Sequence, residues 1–544
     1  MHYLTGLESF IKNSQAYPYK PYLHQPINGQ WQTLTFSEVE QQARCIASGL
    51  LAQGFEVGDK IGILSKNCAQ WFIADLAIMM AGMISVPIYA TAGKKTISYV
   101  VNHSQMKAIF VGKLDELNPA EQGLPKDLLT ISFPYPSLET EQKWDEWLEQ
   151  YPPVSHLHQA SLDDCMSIVY TSGTTGEPKG AVISYKNLAS AAYHTAHVIA
   201  QNNQDRVLSY LPLAHITERC VVEATSFCSG AQVFFVESLD SFLDDLKHAS
   251  PTIFLSVPRL WAKFHAQILQ RLPQKKLNIL LKIPFLGRLI AAVIRKNLGL
   301  SKTKIFASGS APISKSLLTW YHKIGIDICE GWGMTETSGL SCGNIPYQLE
   351  RMGTIGEPIP CVKMKLSEQQ EILIKGDSVF KQYYLKPGIT EKSFQDGWFK
   401  TGDLGRQRSD GAYEIIGRVK EQFKTSKGKY VSPVPIEGKL GQNGHIEQVC
   451  IMGSGLKQPV ALVVLGESVN RQSNDVLKSL DKTLSEVNKE LERHQKVDFI
   501  FVCKEPWSIE NDMLTPTLKL KRDQIEAHYS ALLPLEPNET VIVE

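Results

Sequence analysis

A chain of 544 residues, 43% apolar and 21% charged, has the make-up of an ordinary globular protein with sequence enough for several packed units, which excludes a disordered or fibrous polymer. Lysine plus arginine equals aspartate plus glutamate at 56 each, and zero net charge argues against a protein whose main task is to wrap nucleic acid. The ten cysteines are scattered without a C-x-x-C pair, a pattern of reduced thiols, and neither the N-terminus nor the most apolar stretches, 73–90 and 277–294, holds an unbroken run fit for a signal core or a membrane span.

In chain order, Thr35-Phe36-Ser37-Glu38 is a capping box, and the spacing of Val39, Ala43, Ile46, Leu50 and Leu51 predicts an amphipathic helix behind it. Short β-rich runs follow at Lys60–Leu64, Ile84–Ile88, Ala108–Val111, 167–170, 206–210 and 232–236, alternating with helical patterns. The expected fold class is therefore α/β: a large N-terminal domain of layered subdomains with largely parallel sheets. Near Lys365 the texture changes to short runs at 371–374, 397–399 and 413–416 between Gly and Asp turns, which predicts a β-rich subdomain. From about Glu421, apolar runs at 449–452, 460–464 and 497–502 with a polar helix at 477–494 predict a small α+β C-terminal domain.

One loop carries chemistry by composition alone. Tyr170-Thr171-Ser172-Gly173-Thr174-Thr175-Gly176-Glu177-Pro178-Lys179-Gly180 follows an apolar run and packs three glycines, four Ser/Thr hydroxyls and a lysine into eleven residues. Glycines let backbone N–H groups wrap phosphate oxygens, and the hydroxyls and ammonium add donors. Its spacing is not that of a Walker A motif, which disfavours simple P-loop enzymes.

The loop resembles the signature of the adenylate-forming superfamily, and further segments resembling that family follow in its order over essentially the whole chain. Leu211-Pro212-Leu213-Ala214-His215-Ile216-Thr217-Glu218 is similar to the segment bordering the acyl pocket, through His215. Ser308-Gly309-Ser310-Ala311-Pro312 resembles the strand-turn along the adenine. Glu330-Gly331-Trp332-Gly333-Met334-Thr335-Glu336 resembles the stretch whose aromatic residue flanks the adenine, whose threonine meets phosphate and whose glutamate, here Glu336, holds Mg²⁺. The family usually has tyrosine at Trp332, so the indole brings stacking area without a phenolic hydroxyl. Thr401-Gly402-Asp403 resembles the ribose-binding segment.

Gly417-Arg418-Val419-Lys420 resembles the domain junction, with Arg418 near ribose or phosphate and Lys420 at the hinge. Thr425-Ser426-Lys427-Gly428-Lys429-Tyr430-Val431 is similar to the long-chain branch, with Gly428 on the pantetheine channel. Leu514-Thr515-Pro516-Thr517-Leu518-Lys519-Leu520-Lys521 resembles the motif of the adenylating lysine, aligned on Lys519 with Lys521 as local competitor.

The resemblance implies a large domain 1–417, a hinge 418–420 and a mobile small domain 421–544. It implies an acid–thiol ligase that uses ATP and Mg²⁺ to convert a fatty acid, through an acyl-adenylate, into its coenzyme A thioester. A carrier-protein thiol as acceptor, and a catalytically silent homologue that merely binds acyl chains or nucleotide, are the rival readings. The expected location is cytoplasmic.

Residues 246–326 contain no Asp or Glu but fourteen Lys and Arg. Within them Leu286, Leu289, Ile290 and Val293 share one helical face. Such a helix either rests on an anionic bilayer, making the protein peripheral at a membrane, or packs its apolar face into the core with its cations in water.

Overall fold

The computed structural model describes residues 3–136, 138–171, 177–467, 469–515, 519–534, 537 and 539–544. Two sheets dominate the first two thirds of the chain. One has seven strands in the order Gln142–Lys143, Leu129–Ser132, Ala108–Val111, Lys60–Leu64, Ile84–Ile88, Cys165–Thr171 and Lys179–Ser184. All its pairs are parallel except the last, a hairpin whose connection is the glycine-rich loop. The other has nine strands and runs from Glu357–Pro358 through Gly339–Gly343, Ile328–Met334, Ile305–Ser308, Ile253–Ser256, Arg206–Ser209, Gln232–Phe235 and Pro21–Ile27 to Gln30–Thr35, with a parallel centre and antiparallel margins.

Sequence and structure agree where the signal is local. Thr35 and Glu38 close a reciprocal capping box on the helix Phe36–Ala52, so two orphan N–H groups are satisfied where the pattern placed the helix start. Thr5 and Glu8 do the same for Gly6–Ala16. The helix Ala69–Met80 is apolar all round and buried on every residue but Gln70, as expected of an element packed between layers.

Its single charge, Asp75, meets a buried guanidinium. Arg219 donates through Nη2 to Asp75 Oδ1 at 2.6 Å and Ser85 Oγ at 2.6 Å, and through Nη1 to Ser167 Oγ at 2.5 Å. Its guanidinium carbon lies 5.5 Å from the Trp71 ring centroid. Arg219 opens a π-helical turn, Arg219–Ala224, so one cation fastens that turn to two strands and a helix of the seven-stranded layer. Glu223, buried beside it at 3.5 Å, has its carboxyl pushed well above the usual range, first by burial and then by Asp75.

The β-rich part is a five-stranded antiparallel sheet of Val362–Leu366, Glu371–Gly376, Trp398–Gln407, Phe394–Gln395 and Tyr413–Arg418. Beyond it, Ile446–Met452, Val460–Leu465, Ile500–Val502 and Val541–Val543 form a separate four-stranded sheet covered by the helix Asn474–Glu490. The fold is thus mixed α/β with a smaller α+β unit at the C-terminal end. No helix among the described residues is long and apolar enough to cross a membrane.

Candidate active site

The cleft is built from the ends of strands that come from all three parts of the chain. Trp332 lies on Ile328–Met334, which pairs antiparallel with Gly339–Gly343 through a register shift between Trp332 and Gly333. A Cβ on Gly333 would come within 1.7 Å of the Gly339 carbonyl oxygen, so only glycine permits that close crossing. The shift presents Trp332 toward the β-rich sheet, where its indole N–H donates to Asp403 Oδ2 at 3.0 Å. The other oxygen, Oδ1, accepts from Arg418 Nε at 2.7 Å. Asp403 and Arg418 are cross-strand partners, so their contact is fixed by sheet register. The Asp403 carboxylate holds the Arg418 guanidinium in its charged form against the cost of burial.

Glu336 sits in the 3₁₀ turn Thr335–Thr337, directly after the Trp332 strand. Its Oε1 accepts from the Tyr383 hydroxyl at 2.7 Å. Tyr383 is brought there by an isolated bridge to Ala181 and by the Tyr384 N–H to Gly180 O bond of 2.7 Å, which lay the 383–386 segment along the strand Lys179–Ser184. The Lys179 ammonium stands 5.2 Å from the centre of the Tyr383 ring. Burial lowers its pKa, the Lys420 and Lys386 charges lower it further, and Glu336 opposes them. Lys386 itself pairs with Glu177 at 3.5 Å. Thr171 closes the base of this loop by donating to Lys179 O at 3.3 Å. The remaining loop candidates, Ser172, Gly173, Thr174, Thr175 and Gly176, lie outside the described residues.

Lys519 enters the same cleft from the C-terminal unit. Its backbone is held by the Leu514–Leu520 bridge and by bonds of 2.8 and 3.1 Å with Thr515. The crowded cleft lowers its pKa first by burial and next by Arg418, while Asp403, Glu336 and Glu421 pull the other way, although the side chain keeps access to water. The competitor Lys521 points elsewhere, ion-paired with Asp512.

His215 lies within reach of the Lys519 charge. Burial first, then the Lys519 charge, lowers its pKa to about 4, so the imidazole is neutral at pH 7. Because Nδ1 accepts from the Thr217 N–H at 3.2 Å, the ring proton belongs on Nε2. The turn carrying His215 is fixed by Asn67, which donates to Leu211 O at 2.7 Å and accepts from Leu213 N–H at 3.1 Å. Glu218 accepts from Ser209 Oγ and Tyr210 N–H at 2.9 Å each, and burial lifts its carboxyl to about 8.

Other predicted residues frame this centre. Gly309 packs its Cα side against the Gly331 carbonyl, which lays the exposed Ser310, Ala311 and Pro312 beside the Trp332 strand. Ser308 Oγ is buried there without a partner among the described residues. Glu330 commits its carboxylate to the Gly353 N–H at 2.8 Å, and burial raises it to about 8. Met334 donates its N–H to Thr337 Oγ1 at 3.1 Å, which holds the start of the turn. Lys420 lies in the turn after Arg418, closed by Glu421 and Gln422 N–H bonds of 3.2 Å to Arg418 O. Gly428 is not gathered with the rest: it occupies the exposed tip of the ribbon Phe423–Lys424 with Tyr430–Val431, at φ +74°.

Arg418 and Lys519 therefore converge on Glu336 and Asp403, with Lys179 beside Glu336 and Lys386 and Lys420 close to Lys179, a field suited to a polyanion next to a diol. Tyr383, Lys386 and Glu421 were not singled out in the sequence. Their signal is a strand pairing across some two hundred positions for the first two, and closeness to a hinge for the third.

A family model described as "AMP-binding enzyme" matches residues 10–384, and one described as "AMP-binding enzyme C-terminal domain" matches residues 420–533. The chain belongs to the AMP-binding enzymes, the adenylate-forming family of AMP-forming acid–thiol ligases. It is 28% identical to human "Long-chain-fatty-acid--CoA ligase 1" over 92% of this chain and 81% of that protein. It is 30% identical to rat "Long-chain-fatty-acid--CoA ligase 5" over 92% and 83%. In fold it resembles the o-succinylbenzoate CoA synthetase of Bacillus subtilis solved with its acyl-adenylate, at a TM-score of 0.75, 21% identity and coverage of 97% and 99%.

Proposed function

We propose that this protein joins a long-chain fatty acid to coenzyme A in two half-reactions, with ATP cleaved to AMP and pyrophosphate. The observation that carries the reading is the meeting of Lys519, Arg418, Asp403, Glu336 and neutral His215 in one cleft, from segments up to three hundred positions apart. The names of the curated relatives support the long-chain substrate and the coenzyme A acceptor.

In the first half-reaction a carboxylate oxygen attacks the α-phosphorus, the bond to the bridging oxygen breaks, and pyrophosphate leaves toward Thr171 and Lys179. The acid is already ionised at neutral pH, so no general base is needed. Charge spreads over phosphate oxygens in such a transition state, and positioned cations stabilise it. Lys519 is assigned the bridge between carboxylate and α-phosphate, and His215 donates from Nε2 to the acyl oxygen. Asp403 takes the ribose hydroxyls, Thr335 contacts phosphate, and Trp332 with residues 309–312 flanks the adenine.

Glu336 fits a Mg²⁺ ion. Its Oε1 is held by Tyr383, its second oxygen has no hydrogen bond among the described residues, and a hard cation commonly takes one carboxylate plus phosphate oxygens and water. Such an ion would neutralise charge on the leaving polyphosphate.

In the second half-reaction the thiol sulfur attacks the acyl carbon, its proton passes to solvent, and the bond to AMP breaks. Lys519 stands where the thiol must enter. The small domain 421–544 is therefore taken to rotate about 418–420 against the large domain 1–417, with Lys420 as pivot, bringing the Gly428 ribbon to the cleft. Such an enzyme would act in the cytoplasm on acid drawn from a membrane leaflet.

The test is pyrophosphate exchange across a series of acid chain lengths, followed by product analysis with coenzyme A and with a carrier protein. Exchange rising with chain length and a coenzyme A thioester are expected. Exchange with no carboxylate at all would overturn the reading, and acylation of the carrier protein alone would replace the acceptor.

A further inference from the structure

Within the acid-free segment 246–326, residues 274–297 form a helical hairpin. The helices Gln274–Lys282 and Leu286–Asn297 are joined by Ile283-Pro284-Phe285 and pack through Leu277, Ala291 and Ile294. The apolar residues on the outside are not covered: Phe285 is 83% exposed, Ile279 64%, Leu289 63% and Val293 48%. Of the face anticipated in the sequence, Leu286, Leu289 and Val293 point to solvent, and only Ile290 is half-buried. Core packing of that face is thus ruled out. A folded chain of this kind normally hides such a contiguous patch unless something else covers it.

The cations say what covers it. Lys282 and Arg288 are exposed beside the tip and Lys275, Lys276 and Lys296 along the rest of the hairpin, and no Asp or Glu lies within the segment to answer them. Phe285 adds strain: it is a non-glycine residue at φ +64° whose ring is exposed, with no aromatic partner among the described residues. An apolar ridge ringed by lysine and arginine matches the boundary of a bilayer whose headgroups are negative, with the ring inserting beside acyl chains and the ammonium groups on phosphate.

We infer that this hairpin docks the protein onto an anionic lipid surface, with Phe285, Leu289 and Ile279 as the inserting residues. The inference rests on the fatty-acid reading for its purpose, because an enzyme seated there meets its acid where that acid is dissolved. Its measurement does not depend on that reading, since binding is scored without ATP or acid.

The experiment is co-sedimentation of the full chain with vesicles of phosphatidylcholine alone or with roughly one third phosphatidylglycerol, at low salt and at about 0.5 M salt. Binding to the anionic vesicles at low salt, largely lost at high salt, is the expected result. Phe285→Ser with Leu289→Ser should weaken it on the order of tenfold. Lys275→Glu with Lys282→Glu and Arg288→Glu should weaken it about a hundredfold. Both variants change exposed side chains, so their melting temperatures should match the parent and separate lost docking from lost folding. Equal binding to neutral and anionic vesicles, or binding indifferent to both variants, overturns the inference. So does a dimer in solution that the Phe285→Ser, Leu289→Ser variant dissolves, because the patch would then serve a second copy of this chain.

Discussion

The indole N–H of Trp332 donates to Asp403 Oδ2 at 3.0 Å, while Arg418 holds Oδ1 at 2.7 Å, so the carboxylate proposed for ribose is oriented from both sides. A tyrosine at position 332 would lack this nitrogen, and tryptophan has made the anchoring of Asp403 part of the aromatic wall. Trp332→Phe keeps a ring beside the proposed nucleotide site but removes the donor. A hydrogen bond to a charged group contributes about 1.5–3 kcal/mol, so KM for ATP should rise roughly tenfold or more with a smaller change in kcat. An unchanged KM would show that Arg418 alone sets the carboxylate.

Lys519→Ala should slow acyl-adenylate formation by at least about a hundredfold, since a charge stabilising the transition state is gone. With chemically prepared acyl-adenylate and coenzyme A, thioester formation should survive, because the proposed rotation about 418–420 withdraws the lysine for that step. The lowered pKa of Lys519 also fixes a sign: the alkaline limb of kcat/KM, which reports the free enzyme, should fall at a lower pH than an ordinary lysine would give. Stopped-flow pyrophosphate release and a pH profile check both points.

Arg259, on the helix Pro258–Arg271, reaches Glu447 of the C-terminal sheet at 2.5 Å. The pair is largely solvent-exposed, so it is worth under about 1 kcal/mol. Glu447→Ala should shift the balance between half-reactions by no more than about threefold, slowing adenylation relative to thioester formation. The shift should vanish at high salt, and comparison of the two partial rates reads it directly.

Glu330 gives a pH dependence of stability. Unfolded, its carboxyl titrates near 4.5; folded, burial carries it to about 8. Between those values the folded chain keeps a proton that the unfolded chain has released, so this group's contribution declines as pH rises through that window and levels off above it. Glu330→Gln removes the slope. The variant should gain on the parent by about 2–4 kcal/mol between pH 5 and 9, an upper range for a carboxyl this buried, seen as melting temperatures that converge or cross at alkaline pH. Glu218, also lifted to about 8, leaves a residual slope in the same direction.

The buried Arg219 network makes a structural prediction. Asp75→Ala removes the carboxylate that Arg219 bonds at 2.6 Å and leaves only Glu223, at 3.5 Å, to answer the buried guanidinium; it should cost up to about 3–5 kcal/mol, whereas Asp75→Leu with Arg219→Met should restore much of the loss. Thermal unfolding of the three proteins distinguishes a needed charge pair from a replaceable one.

Local chemistry was readable in advance. The capping box at Thr35 and Glu38 names the first turn of its helix because every interacting group lies within four residues. The choice of Lys519 over Lys521 came instead from the resemblance to the family's C-terminal motif; in the structure the charges of Arg418, Asp403 and Glu336 act on Lys519, while Lys521 pairs with Asp512. The strands Pro21–Ile27 and Gln30–Thr35 form a hairpin, but its place at the margin of the nine-stranded sheet depends on the distant Gln232–Phe235. Tyr383 and Lys386 were silent for the same reason. At Leu286, Leu289 and Val293 the helical period was legible, but which side of the helix meets water depends on the packing of the rest of the chain.

The pairing of Leu23 with Val233 and of His24 with Phe234 also governs the order of assembly. During synthesis the segment 21–27 leaves the ribosome about two hundred residues ahead of the partner that completes its sheet. For that interval only the hairpin partner Gln30–Thr35 can pair with it, and its other edge stays open to a chaperone or to another chain. Production of this protein should therefore depend on translation speed and holdase supply more than its ordinary composition suggests.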